Sequence, residues 1–240
     1  MRALDFDIII PVYNEKDNII GCLNDIEMKV QGSFNVLIVY DFDEDDTLPV
    51  IRDVMDGFKF KIYLIKNDIG RGPLNAIKSG ILNSFSEALL IVMADLSDDL
   101  KIVDAMFLKI MEGYDIVCGS RYMKGGKHIG GPFLKGLMSK TACLSLYFLA
   151  KLPTHDATNS FKMYRKSIFN SITIESRKGF EIGLEIVVKA FSRGYKITEI
   201  PSTWHDRTAG NSKFKVIEWL PEYMRWYLMG LRRGFIRKYF

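Results

Sequence analysis

The chain has 240 residues, of which 48% are hydrophobic and 26% charged, and its 19 glycines and 7 prolines are ordinary usage. That balance belongs to a globular protein with a full core and excludes intrinsic disorder and a fibrous repeat. A net charge of +4 gives no argument for a nucleic-acid partner, and the positive charge is concentrated in residues 213–240, where seven basic residues stand against Glu218 and Glu222. Cys22, Cys118 and Cys143 are scattered and form no CxxC pair, which fits a reducing compartment and argues against a disulfide scaffold or a zinc site. Residues 1–7 lead straight into a strand pattern with no signal-peptide core. The longest apolar or hydroxyl run, 141–150, is about half of what spanning a bilayer needs.

Five short, nearly continuous apolar runs, at 8–12, 36–41, 61–65, 89–93 and 116–118, alternate with helical periodicity near 18–30, 47–55, 72–83 and 102–111. Continuous runs predict strands buried on both faces, the mark of a parallel sheet. Repeated βα units wind such a sheet in a right-handed, open form. Beyond residue 121 the pattern changes. A flexible glycine-rich loop is expected at 123–132, an amphipathic helix at 133–150, loop and short strand at 153–163, a helix at 180–191 and a strand at 196–201. A last helix is expected to open at Pro221, since proline suits a first helical turn. There is no internal repeat or linker, which predicts one domain over 1–215 with a basic, aromatic helical extension over 216–240.

In open parallel sheets, ligands bind beyond the carboxyl ends of the strands. Asn14 and Glu15 follow the first predicted strand, Asp41 and Asp43 the second, and Asp95 and Asp98 the fourth. A dinucleotide fingerprint is absent, because the first turn reads Pro11-Val12-Tyr13-Asn14-Glu15, and no P-loop lysine is present. Gly70-Arg71-Gly72 is a weak phosphate-loop signal. Carboxylates at strand ends suit a divalent metal that bridges the phosphates of a nucleotide. Helix capping near Leu100 would use one of Asp95, Asp98 and Asp99, but these acids together with Asp41 and Asp43 exceed what a cap requires.

Pro-Val-Tyr-Asn-Glu at 11–15, the acidic loop 41–47, Ala-Asp-Leu at 94–96 and Ser-Arg-Tyr at 120–122 resemble glycosyltransferase family 2. Gly-Gly at 125–126, Lys-Gly-Phe-Glu at 178–181 and Asp-Arg-Thr-Ala-Gly-Asn-Ser-Lys at 206–213 resemble its dolichyl- or polyprenyl-phosphate mannose synthase-like members, in order and spacing. The resemblance implies an α/β GT-A fold, Rossmann-like, with a mainly parallel central sheet and helices on both faces. It also implies a GDP- or UDP-sugar donor, a divalent cation (Mg²⁺ or Mn²⁺) and inversion at the anomeric carbon. Pro11, Tyr13, Glu15 and Asp41 would line the base and ribose pocket, with Arg71, Asn75 and Asp95 completing the donor set. Three positions depart from the family. Tyr40-Asp41 stands for the usual Asp-Asp, Met93-Ala94-Asp95 has lost the first acid of Asp-x-Asp, and Ser97 occupies the place of a second ligand. Asp95 with Asp98 is the expected metal pair, Asp98 or Asp99 compensating for the lost acid.

The same resemblance assigns the catalytic set as Arg121 beside the donor sugar, Lys135 and Ser139 receiving the acceptor phosphate, and Arg207 in a loop over the donor. Lys135 and Ser139 are four residues apart and share a helix face. An acceptor phosphate is already ionised near neutral pH, so it needs charge neutralisation and alignment rather than a general base. In members that glycosylate a sugar hydroxyl, an acid within Glu-Asp acts as base, whereas here Glu181 is followed by Ile182-Gly183. Glu181 is therefore expected to cap or orient the loop 177–179 and Glu185 to face solvent. His128, His155 and His205 are read as loop residues without a metal partner.

Apolar residues along 133–150 and aromatic and basic residues along 216–240 suit an anionic membrane surface, and their alternative is packing on the core. The expected activity is transfer of a hexose from a nucleotide diphosphate sugar to a polyprenyl phosphate, at the cytoplasmic membrane face and without a transmembrane segment. Two alternatives stand beside it: sugar transfer to a saccharide hydroxyl in surface-polysaccharide assembly, and a non-catalytic nucleotide-sugar-binding protein. Homo-oligomerisation is left open.

Overall fold

In the computed structural model, which describes residues 6–206 and 216–239, strand β1 (Phe6–Pro11) is buried along its whole length. Its alternating side chains divide between two apolar clusters, Phe6, Ile8 and Ile10 entering one and Ile9 the other. β2 (Phe34–Tyr40) is buried in the same way, while β3 (Lys61–Lys66) forms the sheet edge, with an exposed lysine at each end. β4 (Ala88–Ile91) and β5 (Ile116–Ser120) are also fully buried, so four of the five continuous apolar runs are buried strands as predicted, while β3 is only partly buried because it lies at the sheet edge. The chain then makes β6 (Lys127–Ile129), β7 (Lys162–Arg165), β8 (Ile197–Pro201) and β9 (Thr203–His205).

The main sheet has the order β3-β2-β1-β4-β7-β5-β8. All its pairings are parallel except those of β7, which runs antiparallel to both β4 and β5. The helices are α1 (Ile19–Lys29), α2 (Thr47–Arg52), α3 (Pro73–Asn83), α4 (Val103–Met111), α5 (Phe133–Ala150), α6 (Ile182–Arg193) and α7 (Val216–Tyr239). The first, second and fourth cover the face with Ile8 and Ile10, and the other four contribute to the cluster around Ile9. The expected mainly parallel sheet with helices on both faces is therefore present. β1, β2 and β4 run parallel, so their carboxyl ends and the acids that follow them lie along one edge of the sheet.

Three local expectations are corrected. The glycine-rich loop 123–132 contains β6, which pairs in parallel with β9 and so turns His128 and His205 from loop residues into strand residues. The short strand expected within 153–163 is β7, displaced to 162–165. The last helix does not open at Pro221 but contains it. Burial outweighs the hydrogen bond that proline removes: Trp226 is buried, and Gly230 and Gly234 let α7 approach Leu146, Val188 and Ala150 closely.

Close approach also fixes α3 on the sheet. A methyl group at Gly80 would fall 2.4 Å from Cγ2 of Ile9 and 3.2 Å from Cγ2 of Val39. Gly80→Ala is expected to destabilise the fold by about 1–3 kcal/mol through overpacking, although alanine is the better helix former. A thermal melt of this variant at or above the wild-type midpoint would refute the contact.

Candidate active site

A cavity of about 1700 Å³ opens at the carboxyl ends of β1, β2, β4 and β5 and continues between α5 and α7. Pro11, Tyr13, Glu15, Asp41, Arg71, Asp95, Asp98, Arg121, Lys135 and Ser139 all line it, so residues scattered over 129 positions of sequence share one wall system. Asn75 does not line it: its amide donates to the Arg71 carbonyl at 3.4 Å, bracing the loop from behind. Arg207 lies outside the described residues.

At the β1 and β2 ends the acids build the loops that frame the cavity. Both oxygens of buried Asp45 accept from the Asn14 amide, at 3.2 and 3.1 Å, and one also accepts from the Thr47 amide. These bonds support Asn14 in its left-handed conformation, φ 54°. The Glu15 amide donates to Thr47 Oγ1, and its carboxylate accepts from Asn18 Nδ2 at 2.8 Å. Asp41 accepts from Asn67 Nδ2 and from the Gly72 amide, each at 2.7 Å, and so holds the turn that carries Arg71. Arg71 lies 5.7 Å over the Phe42 ring, whose edge contact with Tyr13 forms a rim of aromatic and cationic groups. Asp45 and Asn67 were missed as individual residues, because a buried loop acid and a solvated one look alike in sequence.

After β4 the three candidate acids separate by role. Asp99 is the cap, accepting from the Lys101 amide at 3.3 Å and, through its other oxygen, from the Thr203 amide at 3.4 Å. Asp95 accepts from the Ser97 amide at 3.2 Å, and Leu96 between them is left-handed, φ 60°. Asp98 accepts a long bond from the Met93 amide. Burial, and then the neighbouring Asp95 carboxylate, push the Asp98 carboxyl up to about 7. The Ser97 hydroxyl is buried beside them with no hydrogen-bond partner among the described residues. Among those residues no three His, Cys, Asp or Glu side chains converge as a metal cage. Two crowded carboxylates and an unpartnered hydroxyl do suit a hard divalent cation whose remaining ligands are phosphate oxygens and water.

Arg121, at the end of β5, is held in a fork by fully buried Asp156. Nε donates to Oδ2 at 2.7 Å, Nη2 to Oδ1 at 2.9 Å, and the Arg121 amide to Oδ2 at 3.0 Å. Burial alone would raise the Asp156 carboxyl, but the Arg121 charge and hydrogen bonds hold it below the usual carboxylate range. Nη2 also reaches Thr158 Oγ1 at 3.4 Å, and the guanidinium lies over the Tyr122 ring. Ser139 on α5 accepts from the Tyr122 hydroxyl at 3.0 Å and pairs with Thr158 Oγ1 at 2.8 Å, so it joins α5 to the 154–160 turn. Lys162 is buried on β7, where burial lowers its pKa and its amine donates to the Asn159 carbonyl. Asp156, Thr158 and Lys162 were missed; the polar run at 154–160 was the one sequence signal for the first two, and Lys162, within a strand, had none.

Glu181 is buried and accepts from the amides of Arg177, Lys178 and Gly179 at 2.9–3.0 Å, as expected for a loop-orienting residue. Glu185 does not face solvent. It is fully buried, accepts from the Glu175 and Ser176 amides and pairs with Lys189 at 2.6 Å, a lysine whose amine lies over the Trp226 ring of α7. His128 lines the cavity, stacked on Trp204 at 4.7 Å; burial, then the Arg121 charge, lower its pKa.

The far half of the cavity is apolar, lined by Leu137, Met138, Ala142 and Leu146 from α5 and by Leu220, Tyr223, Met224 and Tyr227 from α7. Several apolar residues of α5 do not pack on the core. Phe133 is 81% exposed and Leu134 66%, and Leu137, Phe148 and Leu149 are exposed as well. Among the described residues no helix is long and apolar enough to cross a membrane.

The raised Asp98 carboxyl makes a stability prediction. Between 3.8 and about 7 the folded chain keeps a proton that the unfolded chain releases, so stability falls as pH rises through that window. Asp98→Asn, an uncharged mimic, is expected to melt several degrees above the wild type in metal-free buffer above neutral pH. It should lose the advantage as pH falls toward the ordinary carboxylate range. Equal calorimetric melting points at alkaline pH would show that Asp98 is ionised without cost.

The sequence pattern of glycosyl transferase family 2 matches residues 7–173. The chain is 29% identical over 211 residues to a dolichol-phosphate mannosyltransferase of Pyrococcus furiosus, covering 87% of this chain and 58% of that one. It is 26% identical over 231 residues to a polyprenol monophosphomannose synthase of Mycolicibacterium smegmatis, covering 88% and 85%. The chain thus spans less than two thirds of the Pyrococcus relative and most of the Mycolicibacterium one. Among solved structures it is similar to the Mycobacterium tuberculosis glucosyl-3-phosphoglycerate synthase in complex with Mn²⁺, UDP and glucosyl-3-phosphoglycerate. The TM-score is 0.66 at 12% identity, covering 95% of this chain and 79% of that one. It is also similar to S. aureus TarS 1–349 in complex with UDP-GlcNAc, with TM-score 0.67 at 19% identity over 94% of this chain and 66% of that one. Identities this low speak for the fold alone, and that fold is GT-A. With the strand-end acids, the Ser-Arg-Tyr turn and the matched pattern falling on one cavity, this chain belongs to glycosyl transferase family 2.

Proposed function

We propose that this protein is an inverting glycosyltransferase that moves a hexose from a nucleotide diphosphate sugar to a polyprenyl phosphate. The observation that carries the reading is the two-part cavity. Its floor at the strand ends is polar, with Asp41, Asp95, Asp98 and Arg121, and its continuation between α5 and α7 is apolar, with Lys135 and Ser139 also in its wall. That division matches a lipid phosphate, which has an ionised head on an apolar chain.

In this reading Pro11, Tyr13, Glu15, Asp41 and Arg71 hold the nucleotide, with Asn75 supporting the Arg71 turn, and Asp95 and Asp98 hold a divalent cation. The cation supplies charge neutralisation on the diphosphate. Lys135, Arg121 and Arg207 neutralise the phosphates, and Ser139 orients the acceptor head. An acceptor phosphate oxygen forms the new bond at the anomeric carbon, the bond from that carbon to the diphosphate breaks, and the electron pair leaves with the nucleoside diphosphate. No proton has to be removed from the acceptor. The domain division follows the same logic, 1–215 supplying the chemistry and 216–240 one wall of the lipid groove. The similarity to two polyprenol- or dolichol-phosphate mannosyl enzymes supports this acceptor class. Transfer to a saccharide hydroxyl finds no matching base at Glu181, whose carboxylate is occupied by three loop amides. The exposed apolar rim of α5 supports a peripheral position on the cytoplasmic membrane face.

Purified protein given each of GDP-mannose, UDP-glucose and UDP-N-acetylglucosamine, Mg²⁺ or Mn²⁺ and a short polyprenyl phosphate is expected to form a lipid-linked sugar. EDTA and Asp95→Ala should each reduce the rate on the order of 10²-fold or more. Nucleotide binding without lipid product would refute the acceptor assignment. Phe133→Asp is expected to weaken sedimentation with anionic vesicles while transfer to a detergent-dispersed acceptor is retained; undiminished vesicle binding would remove α5 from the membrane contact.

A further inference from the structure

We infer that Asp156 is a positioning residue for Arg121, seating its guanidinium so that diphosphate binding in the proposed transfer depends on the pair; the inference rests on the donor half of that reading. Asp156 is fully buried, and its two oxygens take Nε, Nη2 and the main-chain amide of Arg121 at 2.7, 2.9 and 3.0 Å. A fork of this kind fixes the plane of the guanidinium as well as its place, which a lysine or a lone hydrogen bond cannot do. Nη1 is the nitrogen that neither Asp156 nor Thr158 takes, and Arg121 lines the cavity. Ordering a long cationic side chain on a ligand costs conformational entropy, and here the fold has already imposed that order.

The seat is itself anchored. Glu199 on β8 accepts from the His155 amide at 2.7 Å, from His155 Nδ1 at 2.5 Å and from Thr154 Oγ1 at 3.1 Å. The His155 ring stacks on Tyr147 of α5 at 3.7 Å. The residue before Asp156 is thus tied to both a strand and a helix. On the other side, Thr158 links Arg121 Nη2 to Ser139, so the same turn joins the end of β5 to the middle of α5. Charge balance leaves the pair able to attract an anion. Buried Lys162 acts on Asp156 together with Arg121, so this carboxylate faces two cations.

The test is a double-mutant cycle read by calorimetric binding of GDP or UDP with Mg²⁺ to the full chain. Asp156→Asn and Arg121→Lys are each expected to weaken binding about tenfold, and the double variant no further than either single one, since both remove one unit. In Arg121→Ala, millimolar guanidinium should restore affinity when Asp156 is present and fail when it is Asn, a rescue that general structural damage cannot produce. Additive losses, wild-type affinity in Asp156→Asn, or rescue without Asp156 would overturn the inference. If Asp156→Asn does not fold by circular dichroism, Thr158→Val serves instead, with about a threefold loss expected and an unchanged affinity counting against it. A coupled pair in a protein that binds nucleotide but makes no lipid-linked sugar would refute the lipid acceptor alone and leave Asp156 in its role.

Discussion

Four strands of the sheet are buried on both faces, and that constraint governs where chemistry can sit. A strand interior with apolar layers above and below has little room for a charge without a partner, since an unpaired buried charge costs several kcal/mol. Polar side chains are therefore displaced to strand ends, where loops supply amides and solvent supplies the rest. Parallel pairing then brings the carboxyl ends of β1, β2 and β4 to one edge, and the acids following them become neighbours. Lys162, on a strand, departs from this rule near the cavity. It is buried on β7, near the Asp156 carboxylate, and donates to the Asn159 carbonyl.

The acids at that edge divide according to what the backbone demands of them. Asp41, Asp45, Asp99 and Glu181 each satisfy loop amides, and their geometry is fixed by that work. Burial, and then the crowding Asp95 carboxylate, push the Asp98 carboxyl up to about 7. Crowded carboxylates are unfavourable for the empty fold and favourable for a cation, which is the physical ground for proposing Asp95 and Asp98 as the metal pair.

The second half of the cavity depends on helix packing. α7 leans on α5 and α6 through Trp226 and two glycines, and this leaves a groove with largely apolar walls, while α5 exposes further apolar residues outside it. A soluble small acceptor would not need such a groove. The glycines matter because close approach at Gly234, where a Cβ would lie 2.3 Å from Ala150 Cα, sets the angle at which the two helices diverge.

The sequence by itself determined the five strands of the βα half, the burial of four of them and the edge where the acids collect, because continuous apolar runs and βα alternation are local patterns. It also marked Asp95, Asp98, Arg121 and Lys135, residues that the structure brings into one cavity. Only the tertiary structure decided which acids the backbone uses, that Asp156 holds Arg121, that Glu185 is buried and that Pro221 lies inside a helix. Those outcomes follow from partners far apart in sequence. Arg121 meets its carboxylate 35 residues on, and Glu185 is bonded by loop amides nine and ten residues before it. A hydrogen-bond partner leaves no periodic trace in the residue it acts on, so burial and pairing at such positions had to come from the fold.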